Sequence, residues 1–240
     1  MTYCLGAVII QEAEHFAGWL GSALSIGLAS TTLAARDLWD HVRAVDDPLQ
    51  AGDLPAARRA VAMIVGRDTA ELSESEVARA TVETVAESAA DGVIAPLFYL
   101  AIGGAPLALA YKAVNTLDSM IGHRDERYAD LGWASARLDD LVNWMPARLS
   151  AVLLLLGAGL ITQQIERIHN GWRVLKRDGS LHPSPNSGRP EAAMAGILGI
   201  RLGGTNFYEG IAQDRPILGA EGRSAEPRDM TLAATIMVAA

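Results

Sequence analysis

Hydrophobic positions in this chain gather into runs separated by polar blocks. Phe16 to Ala35 is an uncharged run of 20 residues. Hydrocarbon offers a backbone no hydrogen-bond partner, so about 20 apolar residues in one helix are the spanning solution. Gly18, Gly21 and Gly27 give this run the small faces that suit close helix packing. Gly92 to Tyr111 is a second uncharged run of 20 residues, with Gly103, Gly104 and Pro106 in its middle. Glycine and proline weaken a helix there, so the run reads as two half-helices or a re-entrant hairpin rather than one rod. Leu149 to Ile165 is shorter and leucine-rich, and Met230 to Ala240 reads as the first half of another span. No alternation of period two persists, so few or no strands are expected. The pattern predicts an all-α, polytopic integral membrane protein. It forms one membrane-embedded domain over 1–240, with apolar runs near 16–35, 92–111, 149–165 and 230–240.

Between the runs lie polar helical blocks. Residues 36–91 are expected to break at Pro48 and Gly52. Ser73 and Glu76 have the spacing of a capping box and start a helix that runs to about Asp91. Residues 112–148 are again helical, and Pro146 is expected to close them. The loop His182-Pro183-Ser184-Pro185-Asn186 precedes a small-residue helix starting near Pro190, where proline suits a first helical turn.

Composition adds little to this picture, and distribution adds more. Half the residues are hydrophobic and mean hydropathy is +0.18, values that soluble domains also reach. All 20 Lys and Arg lie at or after Arg36. The excess of Arg36, Arg43, Arg58 and Arg59 after the first run places that block in the cytoplasm and the N-terminus outside. A net charge of -8 argues against a nucleic-acid surface. The single cysteine, Cys4, excludes an internal disulfide and a cysteine metal cluster. No basic segment precedes the first apolar run, so no cleaved signal peptide is expected.

Four constellations can carry chemistry. Glu83, Glu87 and Asp91 follow Arg79 in steps of four on one helical stripe. Such a stripe is either a solvated face or, running into an apolar span, a seat for a metal or an amine. Lys112, Asn115, Asp118 and Ser119 share another face. Lys112, one of two lysines, is either a phosphate ligand or a snorkelling anchor. Asp139, Asp140 and Asn143 form an oxygen-rich group of the kind that holds Mg²⁺ with substrate phosphates, or else an exposed helix face. The loop from His182 to Glu191 presents free N–H groups before a helix start, which attract anions, and Arg201 to Asn206 adds a glycine turn beside an arginine. No phosphate-binding Gly-x-x-x-x-Gly-Lys-Ser/Thr loop, Gly-x-Ser-x-Gly elbow or zinc pattern is present.

These residues carry a family resemblance. Thr81 to Tyr99, Ala110 to Gly122, Arg137 to Arg148, His182 to Asn186 and Val65 to Thr69 resemble five blocks of the cobinamide-phosphate synthases of cobalamin biosynthesis. The resemblance covers roughly 35–230. Ser88 stands where the family is expected to carry Asn. An apolar segment with Gly-Asp-Pro and His-Pro-Val motifs, expected at the start of members, is missing, and the last span is cut short, so the chain reads as truncated.

The resemblance implies a ligase. Aminopropanol or its phosphate is joined to a propionate of adenosylcobyric acid, giving adenosylcobinamide or its phosphate, with ATP and Mg²⁺ and plausibly an acyl phosphate. On this reading Glu83, Glu87, Asp91 and Lys112 are catalytic, one of the two glutamates accepting the ammonium proton. Arg67, Asp68, Asn115, Arg137, His182, Ser184, Asn186, Arg201 and Asn206 bind substrate or phosphate. Asp118, Asp139, Asp140 and Asn143 hold the metal. The expected partners are the corrinoid, the amino alcohol and membrane lipid, no nucleic acid, and a second copy or proteins of the corrinoid pathway. The expected place is the cytoplasmic membrane, with the site facing the cytoplasm and segments 65–91, 112–143 and 182–206 on one side. The competing class is a transporter or sensor-like relative, to which a helix broken at Gly103-Gly104 is suited. The three long apolar runs hold no ionisable group, whereas transporters place such groups inside spans.

Overall fold

The computed structural model describes residues 1–121 and 129–240. Part of the polar block 112–148, at 122–128, and with it Gly122 of the second family block, lies outside the described residues. The chain divides into two compact units, Met1–Ala34 with Asp91–Pro146, and Ala35–Ala90 with Ala147–Ala240.

In the first unit, the helix expected over 16–35 is shortened to α2 (Gly18–Ser30), and α1 (Thr2–Phe16) precedes it. Ala17 is extended (φ -161, ψ 125) and separates the two. The chain turns there because α1 and α2 pack on each other, with the backbone of Glu14 close over Gly21. The small faces are thus spent within the unit. Thirteen residues of α2 make about 20 Å, short of a hydrocarbon core of about 30 Å.

The next element, α6 (Ala95–Ile121), is interrupted at Gly103 and Gly104. In a straight helix Asp91 and Tyr111 would stand about 30 Å apart. Instead the Tyr111 hydroxyl donates to the Asp91 carbonyl at 3.2 Å, and the rings of Tyr99 and Tyr111 stack at 5.1 Å. The chain therefore doubles back, as the hairpin reading of 92–111 expects. Gly104 (φ 67, ψ -169) occupies a region that only glycine takes without strain.

Beyond the undescribed stretch, α7 (Ala129–Thr162) runs straight through Pro146, which was expected to end a helix. Proline lacks the N–H that would bond the Val142 carbonyl. The Tyr99 hydroxyl donates to that carbonyl at 2.7 Å, so the lost bond is replaced from outside the helix. The apolar run 149–165 is accordingly the end of a longer helix.

The second unit holds α3 (Ala35–Gln50), α4 (Leu54–Val61), α5 (Glu74–Ser88), α8 (Ile165–Asp178), α9 (Gly188–Leu198) and α10 (Pro227–Ala239). Leu38, Val42, Val45 and Leu49 form the buried stripe of α3, at the spacing of an amphipathic helix. Pro48 lies inside the last turn of α3 and does not break it. The Ser73–Glu76 capping box opens α5 as expected. Met230, Ala233, Ala234 and Met237 are buried where α10 packs on α5 and α3. Residues 230–239 are therefore packed into the core of this unit.

The chain is mostly helical but not wholly so. Strands β1 (Leu202–Tyr208) and β2 (Ile211–Leu218) pair antiparallel in a hairpin. It closes at Glu209 and Gly210, both with positive φ, the requirement of a tight hairpin turn. Only a glycine turn was expected here, because Gly203, Gly204 and the polar residues Gln213, Asp214 and Arg215 mask any alternation.

Among the described residues, two helical stretches are long and apolar enough to cross a membrane, Glu74–Ile121 and Gly132–Thr162. The first contains a π-helical turn (Ala89–Ile94) and the Gly103-Gly104 reversal. The second is unbroken.

Candidate functional site

The stripe of acidic residues is shorter than its spacing suggested. Glu83 and Glu87 stand on α5, but the π turn follows at once. Its wider turn shifts the residues beyond it out of the i, i+4 register. Asp91 falls in the first unit, and it does not continue the stripe.

Glu83 is the centre of a buried ionic box in the second unit. Its Oε2 accepts from Arg67 Nη2 at 2.5 Å. Its Oε1 accepts from the Gly203 N–H at 2.7 Å and from Arg79 Nη1 at 3.3 Å. Arg79 also donates to the Gly203 carbonyl. Asn206 Oδ1 bridges the two arginines, at 2.7 Å from Arg67 Nη1 and 3.1 Å from Arg79 Nη2. Arg67, Glu83 and Asn206 are all buried. Gly203 has φ 84, and a Cβ there would run into the Pro216 carbonyl, so glycine is what lets both its backbone groups face the box. Charges so far from water persist only when paired and hydrogen-bonded.

The loop before α9 closes on the same helix face. Ser187 Oγ donates to Glu87 Oε1 at 3.0 Å. His182 Nδ1 accepts the Ser184 N–H at 3.0 Å, which in the neutral ring leaves the proton on Nε2. That nitrogen lies 3.9 Å from Glu191 Oε1 and 3.5 Å from Arg215 Nη1, while Arg215 Nη2 donates to the Tyr208 hydroxyl at 3.1 Å. Burial, with the adjacent carboxylates of Glu87 and Glu83, raises Glu191 well above the usual carboxyl range. Burial, then the Arg215 charge, lowers His182 below its ordinary value.

Segments 65–90 and 182–206 are thus joined in one constellation of the second unit, as the one-sided site requires. Segment 112–143 belongs to the first unit and carries its own polar cluster. There Asn143, fully buried, accepts from the Tyr111 hydroxyl at 2.8 Å and donates to Asp139 Oδ2 at 2.9 Å. Asn115 Nδ2 lies 3.4 Å from Asp139 Oδ1, and Lys112 Nζ lies 3.4 Å from Asn115 Oδ1. Asp118 and Asp140 are charged neighbours of Asp139. Asp139 and Asn143 are therefore not an exposed helix face. Among the described residues, no three His, Cys, Asp or Glu side chains converge as ligands of one ion.

Several expected binding residues have local structural roles. Asp68 accepts from the Glu209 and Gly210 N–H groups at 3.2 and 2.8 Å and so holds the hairpin turn. Ser184 Oγ accepts from the N–H groups of Asn186 and Ser187, which shapes its own loop, and Asn186 is buried within it. Arg137 pairs with Asp140 at 3.7 Å on the surface. Arg201 reaches Ser224 at 3.2 Å and, with Arg79 and Gly203, lines a cavity of about 310 Å³. Glu191, Arg215 and Ser187 were not expected. Their one sequence signal is a glutamate placed directly after Pro190 at a helix start. Arg215 sits in a strand that the hydrophobic pattern did not reveal.

The family model described as CobD/Cbib protein matches residues 1–237 of this chain. The chain belongs to that family. Cobalamin biosynthesis protein CobD of Geobacter metallireducens is 57% identical over 215 residues, 89% of this chain and 66% of the relative. The protein of that name in Klebsiella pneumoniae is 49% identical over 238 residues, 99% of this chain and 73% of the relative. Cobalamin biosynthesis protein CbiB of Salmonella typhimurium is 45% identical over 232 residues, 95% of this chain and 71% of the relative. The chain thus spans about two thirds to three quarters of these family members. No solved structure shows significant similarity to it.

Proposed function

We propose that this chain acts in cobalamin biosynthesis as an ATP-dependent amide-forming ligase, seated in the cytoplasmic membrane with its site toward the cytoplasm. It joins aminopropanol, or its phosphate, to a propionate carboxylate of adenosylcobyric acid, and the product is adenosylcobinamide or its phosphate. Membership of the CobD/Cbib family supports the pathway. The observation that carries the chemistry is the buried box of Arg67, Arg79, Glu83 and Asn206, with Arg215, His182 and Glu191 alongside. Carboxylate and amine do not condense in water unaided, and the reaction must gather a nucleotide, a carboxylate and a cationic nucleophile in one place. Fixed guanidinium groups are suited to hold carboxylate and phosphate oxygens, and a buried carboxyl is suited to proton transfer near neutral pH.

ATP activation implies Mg²⁺. Within the first unit, Asp139 and Asp118 offer carboxylate oxygens of the kind that ion takes, beside the Asn115 and Asn143 amides. Mg²⁺ commonly takes one or two carboxylates and completes its shell with water and substrate phosphates, so a full protein cage is not required. Asp139 and Asp118 would hold it, and it would supply neutralising charge to the phosphates.

The test is to incubate purified, detergent-solubilised protein with adenosylcobyric acid, 1-aminopropan-2-ol or its phosphate, ATP and Mg²⁺, and to follow the corrinoid by mass. Condensation with loss of water, dependent on ATP, is expected. Neither amine giving product would remove the reading. The reversal at Gly103-Gly104 favours transport as a second reading. Saturable corrinoid uptake into proteoliposomes, without chemical change, would support it.

A further inference from the structure

Glu83 and Glu87 were both expected to be able to take the ammonium proton. The geometry removes Glu83 from that role, because its two oxygens face three fixed donors from Arg67, Arg79 and Gly203. Glu191 is the opposite case. Its side chain is 5% exposed, and His182 Nε2 stands off from its Oε1 at 3.9 Å. The charged groups that act on it come from several segments. They are Glu83 and Glu87 of α5, Arg67 before α5, Arg215 of β2, and His182 of the preceding loop. Glu87 is exposed, so the carboxyl pair opens toward solvent on that side. A second observation points to a guest. Arg67 Nε and Asn206 Nδ2 are buried with no acceptor among the described residues. Asn206 Oδ1 is already committed to two arginines, so its amide nitrogen must face another way. A buried carboxyl beside other carboxylates, with two undersupplied donors in the same constellation, suits a guest with a cationic end and a carbonyl or acyl-phosphate end.

We infer that Glu191 and Glu87 seat a primary ammonium, and that Glu191 takes its proton as the nitrogen attacks an activated carboxyl. This rests on the ligase reading above and names the place of the nucleophile within it. The activated carboxyl is an acyl phosphate made from a nucleoside triphosphate. The ammonium gives one proton to the Glu191 carboxylate, and its freed lone pair forms the C–N bond to the acyl carbon. The C–O bond to phosphate breaks, and phosphate leaves with that electron pair and the second N–H proton. In the unliganded protein, burial beside two carboxylates raises Glu191 well above the usual carboxyl range and so favours its neutral form. Seating a cation favours the carboxylate, so amine binding expels a proton and tightens as pH rises.

The experiment titrates 1-aminopropan-2-ol into the full chain by calorimetry, in buffers of different ionisation enthalpy and across a pH series. Wild type is expected to release about one proton per amine and to bind about tenfold tighter per pH unit below the Glu191 titration. Propane-1,2-diol, the neutral isostere, should show neither effect. Glu191→Gln should abolish proton release and lower kcat with the amine by about 100-fold. Hydroxylamine, neutral at neutral pH, should serve as nucleophile almost equally in Glu191→Gln and wild type. Glu87→Gln, at an exposed position, should weaken amine binding without unfolding and so gives a second arm if Glu191→Gln does not fold. Unchanged proton release in Glu191→Gln, no release in wild type, or an unaltered amine affinity in Glu87→Gln overturns the seat. Amine binding with proton release but no corrinoid product would sink the ligase reading and leave the seat. Product formation at the wild-type rate in Glu191→Gln would do the reverse.

Discussion

Replacing Arg67 by Met would test whether the box is a buried ionic network. Arg67 and Glu83 have side-chain exposures of 6% and 10%, so water screens the pair little. Removing one partner of such a pair costs about 3–5 kcal/mol, mostly because the other charge is left buried and unpaired. Glu83 would keep Arg79 at 3.3 Å and the Gly203 N–H at 2.7 Å, so the lower end, about 3 kcal/mol, is expected. Asn206 Oδ1 likewise keeps Arg79. At this chain length 1 kcal/mol moves the midpoint by about 2–4 °C, so a fall of about 6–12 °C should appear. The assay is tryptophan-fluorescence melting in one detergent at one scan rate, on Arg67→Met, Glu83→Leu and the double variant. The double variant should melt well above the additive expectation, with a coupling of about 1–3 kcal/mol. A shift under about 2 °C for Arg67→Met, or strict additivity, would refute a buried ionic box.

Tyr99→Phe should lower stability by about 1–3 kcal/mol by stranding the Val142 carbonyl. Most of that loss should vanish in a Pro146→Ala background, where the helix supplies its own donor, as paired melts would show. Asp68→Ala should loosen the hairpin turn at Glu209-Gly210 and raise its rate of limited proteolysis, read by mass mapping of the first cut. The last prediction concerns pH. Glu191 has a folded-state pKa raised above its unfolded value. Its contribution is therefore fully present below the unfolded value of about 4.3 and is lost as pH rises toward the raised one, at up to about 1.4 kcal/mol per pH unit. Glu191→Gln should remove that loss and gain on wild type as pH rises above about 4.3. Parallel melting curves at every pH would contradict it.

The helix start at Ser73, the reversal at Gly103-Gly104 and the family blocks were legible in the chain itself. Their signals are local: a cap and its partner sit three residues apart, glycine carries its backbone freedom wherever it stands, and a sequence block is contiguous by definition. The pairing of Arg67 and Glu83 with Asn206 was legible only as three candidate residues. Nothing along the chain says that positions 139 residues apart share a hydrogen bond. Pro146 shows the limit most clearly. Proline predicts a helix end because it removes a donor, and the helix continues because Tyr99, 43 residues from Val142, supplies another. The turn at Ala17 lets α1 and α2 pack on each other, a contact no single-segment pattern contains. The same holds for the π turn that removes Asp91 from its stripe. Glu191 is an ordinary glutamate in the sequence. Burial and the neighbouring carboxylates of Glu87 and Glu83, brought together where α5 meets α9, raise it well above the usual carboxyl range. Composition and periodicity thus determined that the chain is helical and where its polar chemistry lies, whereas only tertiary packing decided which polar groups are paired and which are left for a partner, because that choice depends on distances between segments rather than along them.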